Sequence, residues 1–270
     1  MSASLVRPSV AMIAVLATVG SSCGVLGGDA RDCTALPGDL VAPVASFADD
    51  FEGTGPLDGY VTNNPDVLPD VGQVDGRYRA VLDDNTDDKT LHFWDAQGRL
   101  DAKAVAFPFE YIARNIGIGT VADSQQPAPP DGAESYVFAG VQVHDLRLEE
   151  RNSSHIVVGH RGGTTFTIEG KNTCDGESFV DDDGPGVLPE ARADIRIVGN
   201  ADRTLTVWYQ APNPAPGATA DEWILYRGTG TLPGTAPEYG EVVYVGIITY
   251  AQGEAGLPFV GTVDSIDVGP

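Results

Sequence analysis

Cysteines, cations, long apolar runs and helical stripes are all scarce in this chain, and each scarcity removes a class of protein. Three cysteines among 270 residues are too few for a disulfide-built scaffold, so the fold has to rest on an apolar core. Only 16 Lys and Arg stand against 39 Asp and Glu, a formal charge of −23. A polyanion of this kind repels nucleic acid and anionic lipid, and the acidity reads as a solubility feature of an exported surface. The one continuous apolar run, Ser9 to Gly20, is too short to cross a bilayer as a helix. Flexible Gly- and Asp-containing sequence follows it where a stop-transfer pattern would be needed for a span.

What is present begins with that run. Met1 to Arg7 is short and mildly basic, and Gly20-Ser21-Ser22-Cys23 is a small-residue stop, so residues 1–22 read as an export signal. A tether over 23–43 and one folded domain over 44–270 are expected to follow. The small residues before Cys23 resemble a bacterial lipobox, which implies lipidation of Cys23 and attachment to a cell envelope through the lipid alone. Gly20 stands where such motifs place Leu, so ordinary signal cleavage nearby stays open. Lipidation of Cys23 would leave Cys33 and Cys174 as an even pair for a disulfide, the alternative being an exposed thiol at Cys174.

Beyond the tether the periodicity is two almost throughout. Strand-length segments bounded by Asp, Gly, Asn or Pro run from Arg77 to Leu82, Leu91 to Trp94, Val105 to Ile118, Ser135 to Leu146, His155 to Val158 and Thr165 to Ile168. They continue at Ala193 to Val198, Leu205 to Tyr209, Trp223 to Tyr226, Val242 to Tyr250 and Val260 to Val268. This pattern, punctuated by 33 glycines and 19 prolines, predicts an all-β antiparallel sandwich or barrel. Gly199-Asn200-Ala201-Asp202 predicts a tight turn in a hairpin from Asp194 to Tyr209. Thr120 to Gly132 and Ala211 to Ala220 read as long polar loops.

The order of several motifs resembles the concanavalin A-like lectin and glucanase superfamily, laminin-G-like jelly rolls included. Asp49-Asp50-Phe51-Glu52-Gly53, Leu57-Asp58-Gly59-Tyr60 and Val74-Asp75-Gly76-Arg77-Tyr78 look like its opening. Phe138 to Val143 looks like its central Gly-containing strand, and Arg192 to Ile197 with Thr206 to Tyr209 like its later hairpin. Val245 to Tyr250 and Gly261 to Val268 look like its closing strands. The resemblance implies a two-sheet jelly-roll β-sandwich with a concave face where polymers lie. It also implies a structural calcium joining the ends of the domain, which by position involves Asp264, Gly76 and the neighbourhood of Asp50.

Aromatic rings on such a face stack on sugars, which nominates Trp94, Trp208, Tyr209, Trp223 and Tyr226 as ligand residues. Alternation puts Trp208 and Tyr209 on opposite faces of one strand. The Glu-x-Asp-x-x-Glu strand by which glucanases of the superfamily place two carboxyls on one sheet face is absent. Glu110 stands alone, Glu149 and Glu150 are adjacent, and His155 and His160 face opposite sides of a regular strand and make a poor metal pair. The expectation is therefore an exported, lipid-anchored, non-catalytic module for a polysaccharide or other glycan. A glycoside hydrolase with unrecognised carboxylates, or a structural or adhesive surface protein, is the alternative.

Overall fold

The computed structural model describes residues 41–66, 68, 70–82, 98–120, 136–148, 151–161, 165–180, 186–211, 222–252 and 259–270. All lie in the second of two compact units, 31–270. Among the described residues seventeen strands form two antiparallel sheets.

The first sheet carries the ends of the domain. In spatial order it runs β14 (Ile224–Leu225), β13 (Leu205–Gln210), β12 (Arg192–Gly199), β6 (Phe109–Thr120), β16 (Phe259–Val263), β4 (Tyr78–Leu82) and β3 (Asp70–Gln73). The last strand, β17 (Ser265–Gly269), pairs with β6 and with the first, β1 (Phe47–Asp49). The second sheet runs β10 (Glu177–Val180), β9 (Phe166–Cys174), β8 (Ser153–Arg161), β7 (Tyr136–His144), β15 (Val242–Gln252), β5 (Arg99–Ala106) and β2 (Val61–Asn63). A short strand, β11 (Gly186–Leu188), adds to the free side of β9.

Turn chemistry closes the hairpins. Asp75-Gly76 joins β3 to β4 and Asp175-Gly176 joins β9 to β10, each with two successive residues at positive φ (53° and 69°; 48° and 74°). That is the backbone of a type I′ turn, whose twist matches paired strands, and Asp-Gly tolerates it at little cost. The hairpin of β12 and β13 is in register from Asp194–Gln210 to Gly199–Leu205, as the alternation predicts.

Two expectations need correcting. The segment read as one strand from Val105 to Ile118 is two, β5 and β6, because the chain turns at Phe107-Pro108; Pro offers no N–H to a ladder. The segment from Val260 to Val268 is likewise two strands, β16 and β17, broken at Asp264. The break follows from β6, whose Asn115 takes a left-handed φ of 50° opposite a register shift between Ala193 and Ile195. Before this bulge β6 pairs with β17 and after it with β16, so one long strand serves two partners.

Between the sheets lies one apolar cluster, with Tyr78, Tyr111, Phe109, Phe51, Ile116, Ile118, Ile247 and Val141 among its buried members. The Asp101 carboxylate is buried with it. Asp101 accepts from Tyr78 Oη (2.8 Å), Thr62 Oγ1 (2.6 Å) and the Arg99 guanidinium (2.9 Å). Its charge is met on every side, the condition under which an ion pair survives desolvation.

Candidate ligand-binding face

Registers and packing together assign the two faces of the second sheet. Asp101, Thr249 and Ala139 point at the first sheet: Asp101 reaches Tyr78, and Thr249 and Ala139 lie against Gly261. Side chains one residue away in each strand therefore point outward. Across the registered ladders of β15, β7, β8 and β9 these are Tyr250 with Phe138 and Thr167, Ile248 with Val157 and Glu169, and Gln142 with His155 and Lys171. This is the sheet that does not carry the terminal strands β1 and β17.

Polar chemistry is concentrated there. Gln142, His155 and Lys171 are 1%, 5% and 3% exposed, and Glu169 and Tyr250 are 5% and 3% exposed. The rings of His155 and Tyr250 lie 5.7 Å apart and Lys171 Nζ sits 5.8 Å from the Tyr250 ring. Arg161 Nε is 3.4 Å from Glu169 Oε2. Phe138 packs on Tyr250 at 5.4 Å. Among the described residues of this face, Gln142 Oε1 and His155 Nε2 are buried with no protein hydrogen-bond partner, and Glu169 Oε2 is buried against the Arg161 guanidinium with which it is ion-paired. Polar groups buried in this way are rare and mark places where something else supplies the bond.

Burial shapes the charges. It pushes the His155 imidazole well below its ordinary range, helped by the nearby Lys171, so the ring is neutral at neutral pH. It also pulls the Lys171 ammonium down to about 7, against the opposing influence of Glu169. Tyr250 is held as a phenol, its ionisation raised first by burial and then by Glu169.

The aromatic residues nominated from the sequence do not gather on this face. Trp208 and Trp223 are half-buried on the first sheet, each under a guanidinium: Arg196 lies 4.7 Å from the Trp208 ring, and Arg114 5.4 Å from the Trp223 ring. Arg196 in turn pairs with Glu110 and Arg114 with Asp194. Tyr209 faces the opposite way from Trp208, as alternation requires, with its hydroxyl beside Gly186. Tyr226 is buried, its hydroxyl accepting the Gly170 N–H at 2.8 Å, so it is a core residue. Trp94 lies outside the described residues.

The positions implicated in calcium binding do not fit a divalent cation as they stand. Asp264 sits between β16 and β17, and its Oδ1 is ion-paired with the buried Arg77 guanidinium. Its Oδ2 accepts from Asn115 Nδ2 at 2.8 Å. Gly76 makes the β3–β4 turn beside Glu52, and Asp50 is exposed, accepting from the Glu52 N–H. The cation facing Asp264 is an arginine, and calcium would have to displace it. Among the described residues no three His, Cys, Asp or Glu side chains come together as a metal site. Cys174 is buried and disulfide-bonded; Cys23 and Cys33 lie outside the described residues.

Gln142, Glu169, Lys171 and Tyr250 were not singled out from sequence, and His155 was considered only as a metal ligand. Their signal was available: polar residues recur every second position in Val141-Gln142-Val143-His144 and Glu169-Gly170-Lys171-Asn172-Thr173. Such a period reads as an ordinary solvated face until the burial is known.

No protein-family model matches the sequence, and no curated protein does. Solved structures match over most of the chain. The GH43 BlXynB protein from Bacillus licheniformis aligns at 11% identity with a TM-score of 0.54, over 82% of this chain and 38% of that one. A bifunctional GH43-CE protein of Bacteroides eggerthii aligns at 12% identity and TM-score 0.50, over 82% and 25%. A β-1,3-glucanase from Mycobacterium marinum aligns at 12% identity and TM-score 0.44, over 82% and 97%. The chain thus spans well under half of the two GH43 proteins. At these identities the shared property is the fold, an antiparallel two-sheet jelly-roll sandwich of the concanavalin A-like kind.

Proposed function

We propose that this chain is a carbohydrate-directed protein that takes a polysaccharide on the outer face of its second sheet, over the row Gln142, His155 and Lys171. The observation that carries the reading is the pair of buried atoms without partners, Gln142 Oε1 and His155 Nε2, in register on adjacent strands. A sugar hydroxyl both donates and accepts, so two neighbouring hydroxyls answer both atoms at once. In a desolvated site each such bond is worth more than at an open surface.

A second reading is glycoside hydrolysis, supported over simple binding by the GH43 names of two matching structures. Its described carboxylate on these strands is Glu169. Export through the leader, anchorage through a lipid on Cys23 in a cell envelope, and a disulfide between Cys33 and Cys174 belong to the same proposal, and all suit a protein that meets polysaccharide outside the cytoplasm. Calcium enters it only as a competitor of Arg77 for Asp264. Titration against a polysaccharide panel, with reducing-end release followed in parallel, tests the reading: retention without release supports binding, release supports cleavage of the glycosidic bond, and neither removes both.

A further inference from the structure

Building on the carbohydrate reading, we infer that this face cleaves a uronate-containing polysaccharide by β-elimination, with His155 as the base and Tyr250 as the acid. Three observations lead there. Hydrolysis asks for two carboxyl groups flanking the glycosidic bond, and the described strands of this face supply one, Glu169, already facing Arg161 at 3.4 Å. The face supplies instead a neutral imidazole whose Nε2 has no partner and a tyrosine whose ring is 5.7 Å from it. Beside both stand a cation and an amide, Lys171 with Nζ 5.8 Å from the Tyr250 ring, and Gln142 opposite His155.

Those parts match the needs of elimination from a 4-linked uronate. The C5 proton of a uronate is acidic only when the adjacent carboxylate is neutralised, and the Lys171 ammonium with the Gln142 amide N–H groups can do that. His155 Nε2 takes the C5 proton. The C5–H electron pair becomes the C4=C5 double bond as the C4–O4 bond breaks, and O4 leaves with the proton of Tyr250 Oη. The imidazolium then returns its proton to the phenolate, directly or through water, so no water is consumed and the site is reset. Each cut yields one unsaturated end and one reducing end. The overall acidity of the chain opposes a polyanion, and Lys171 and Arg161 are the local charges that offset it.

The experiment uses the full chain with polygalacturonate and alginate as polyuronate probes and a β-glucan as the neutral control. It follows the ultraviolet absorbance of the conjugated product, reducing ends, and retention of the polymer. The inference expects absorbance from a polyuronate with one reducing end per double bond. It also expects a loss on the order of a hundredfold or more in His155→Gln and in Tyr250→Phe, which keeps the packed ring, with melting temperature preserved in both and retention of the polymer preserved in Tyr250→Phe. Reducing ends without absorbance would mean hydrolysis and overturn it. A polyuronate retained but unchanged overturns it too, and both results leave the carbohydrate reading standing. If no polysaccharide of any kind is retained or cut by the wild type, that reading falls with it.

Discussion

His155 lies opposite Lys171 across the ladder of β8 and β9, and both bases are buried there. Burial lowers Lys171 from 10.5 to about 7. The unfolded chain therefore holds a proton on this lysine, between about pH 7 and 10.5, that the folded chain has lost. Stability should rise with pH through that window, because the state binding more protons loses ground as protons become scarce. In Lys171→Met this part of the rise should vanish. His155, also lowered, acts on the acid side: as pH falls below about 6.5 the unfolded chain gains a proton that the fold resists, so stability drops, less so in His155→Gln. Denaturant melts across pH read both effects, and curves parallel to wild type for both variants would show that these bases are not held as described.

Asp101 is expected to be among the most costly residues to remove. Asp101→Ala would leave Arg99, Tyr78 and Thr62 without their shared acceptor, and breaking a buried pair from one side costs about 3–5 kcal/mol. Tyr78→Phe removes one bond to the same charge and should cost about 1.5–3 kcal/mol. Equilibrium unfolding measures both, and a cost for Asp101→Ala below that of Tyr78→Phe would contradict the network.

The closure of the sandwich at its ends rests on Arg77, Asp264 and Asn115. Asp264→Ala should lower stability by about 1–3 kcal/mol through loss of charge-assisted bonds. With Arg77 in the place where a metal would stand, melting temperatures in calcium and in chelator should coincide. A rise with calcium that Asp264→Ala abolishes would show that the ion displaces the guanidinium.

For the cysteines, digestion without reductant followed by mass spectrometry should find Cys174 joined to Cys33, with lipid on Cys23. Closing so long a loop is worth about 3–5 kcal/mol in the chain-entropy model, so Cys33→Ser and Cys174→Ser should destabilise to about the same extent. A Cys23–Cys174 peptide would overturn both the pairing and the anchor.

Strand positions were legible in the sequence because alternation and turn residues are local: the hairpin of β12 and β13 falls where the period and Asn200 put it. The divided run at Phe107-Pro108 and the split at Asp264 were less so. The second is set by the bulge at Asn115, a residue distant in sequence from Asp264, and no local pattern announces it. The ligand face was least legible. Tryptophans draw attention by type, yet Trp208 and Trp223 are taken up by Arg196 and Arg114 on the first sheet. Gln142, His155 and Lys171 become a row only when three strands stand in register and the face is found to be buried.

The account stands or falls on where a glycan binds. Calorimetric titration of wild type, Gln142→Ala, His155→Gln, Trp208→Ala and Trp223→Ala with the polysaccharide that wild type retains is the direct measurement. Loss of one buried polar contact, about 1.4 kcal/mol or more, is tenfold in affinity. Gln142→Ala and His155→Gln should therefore each weaken binding by about tenfold or more, while Trp208→Ala and Trp223→Ala leave it unchanged. Binding kept in the first two variants and lost in the tryptophan variants would place the ligand on the other sheet and contradict the account.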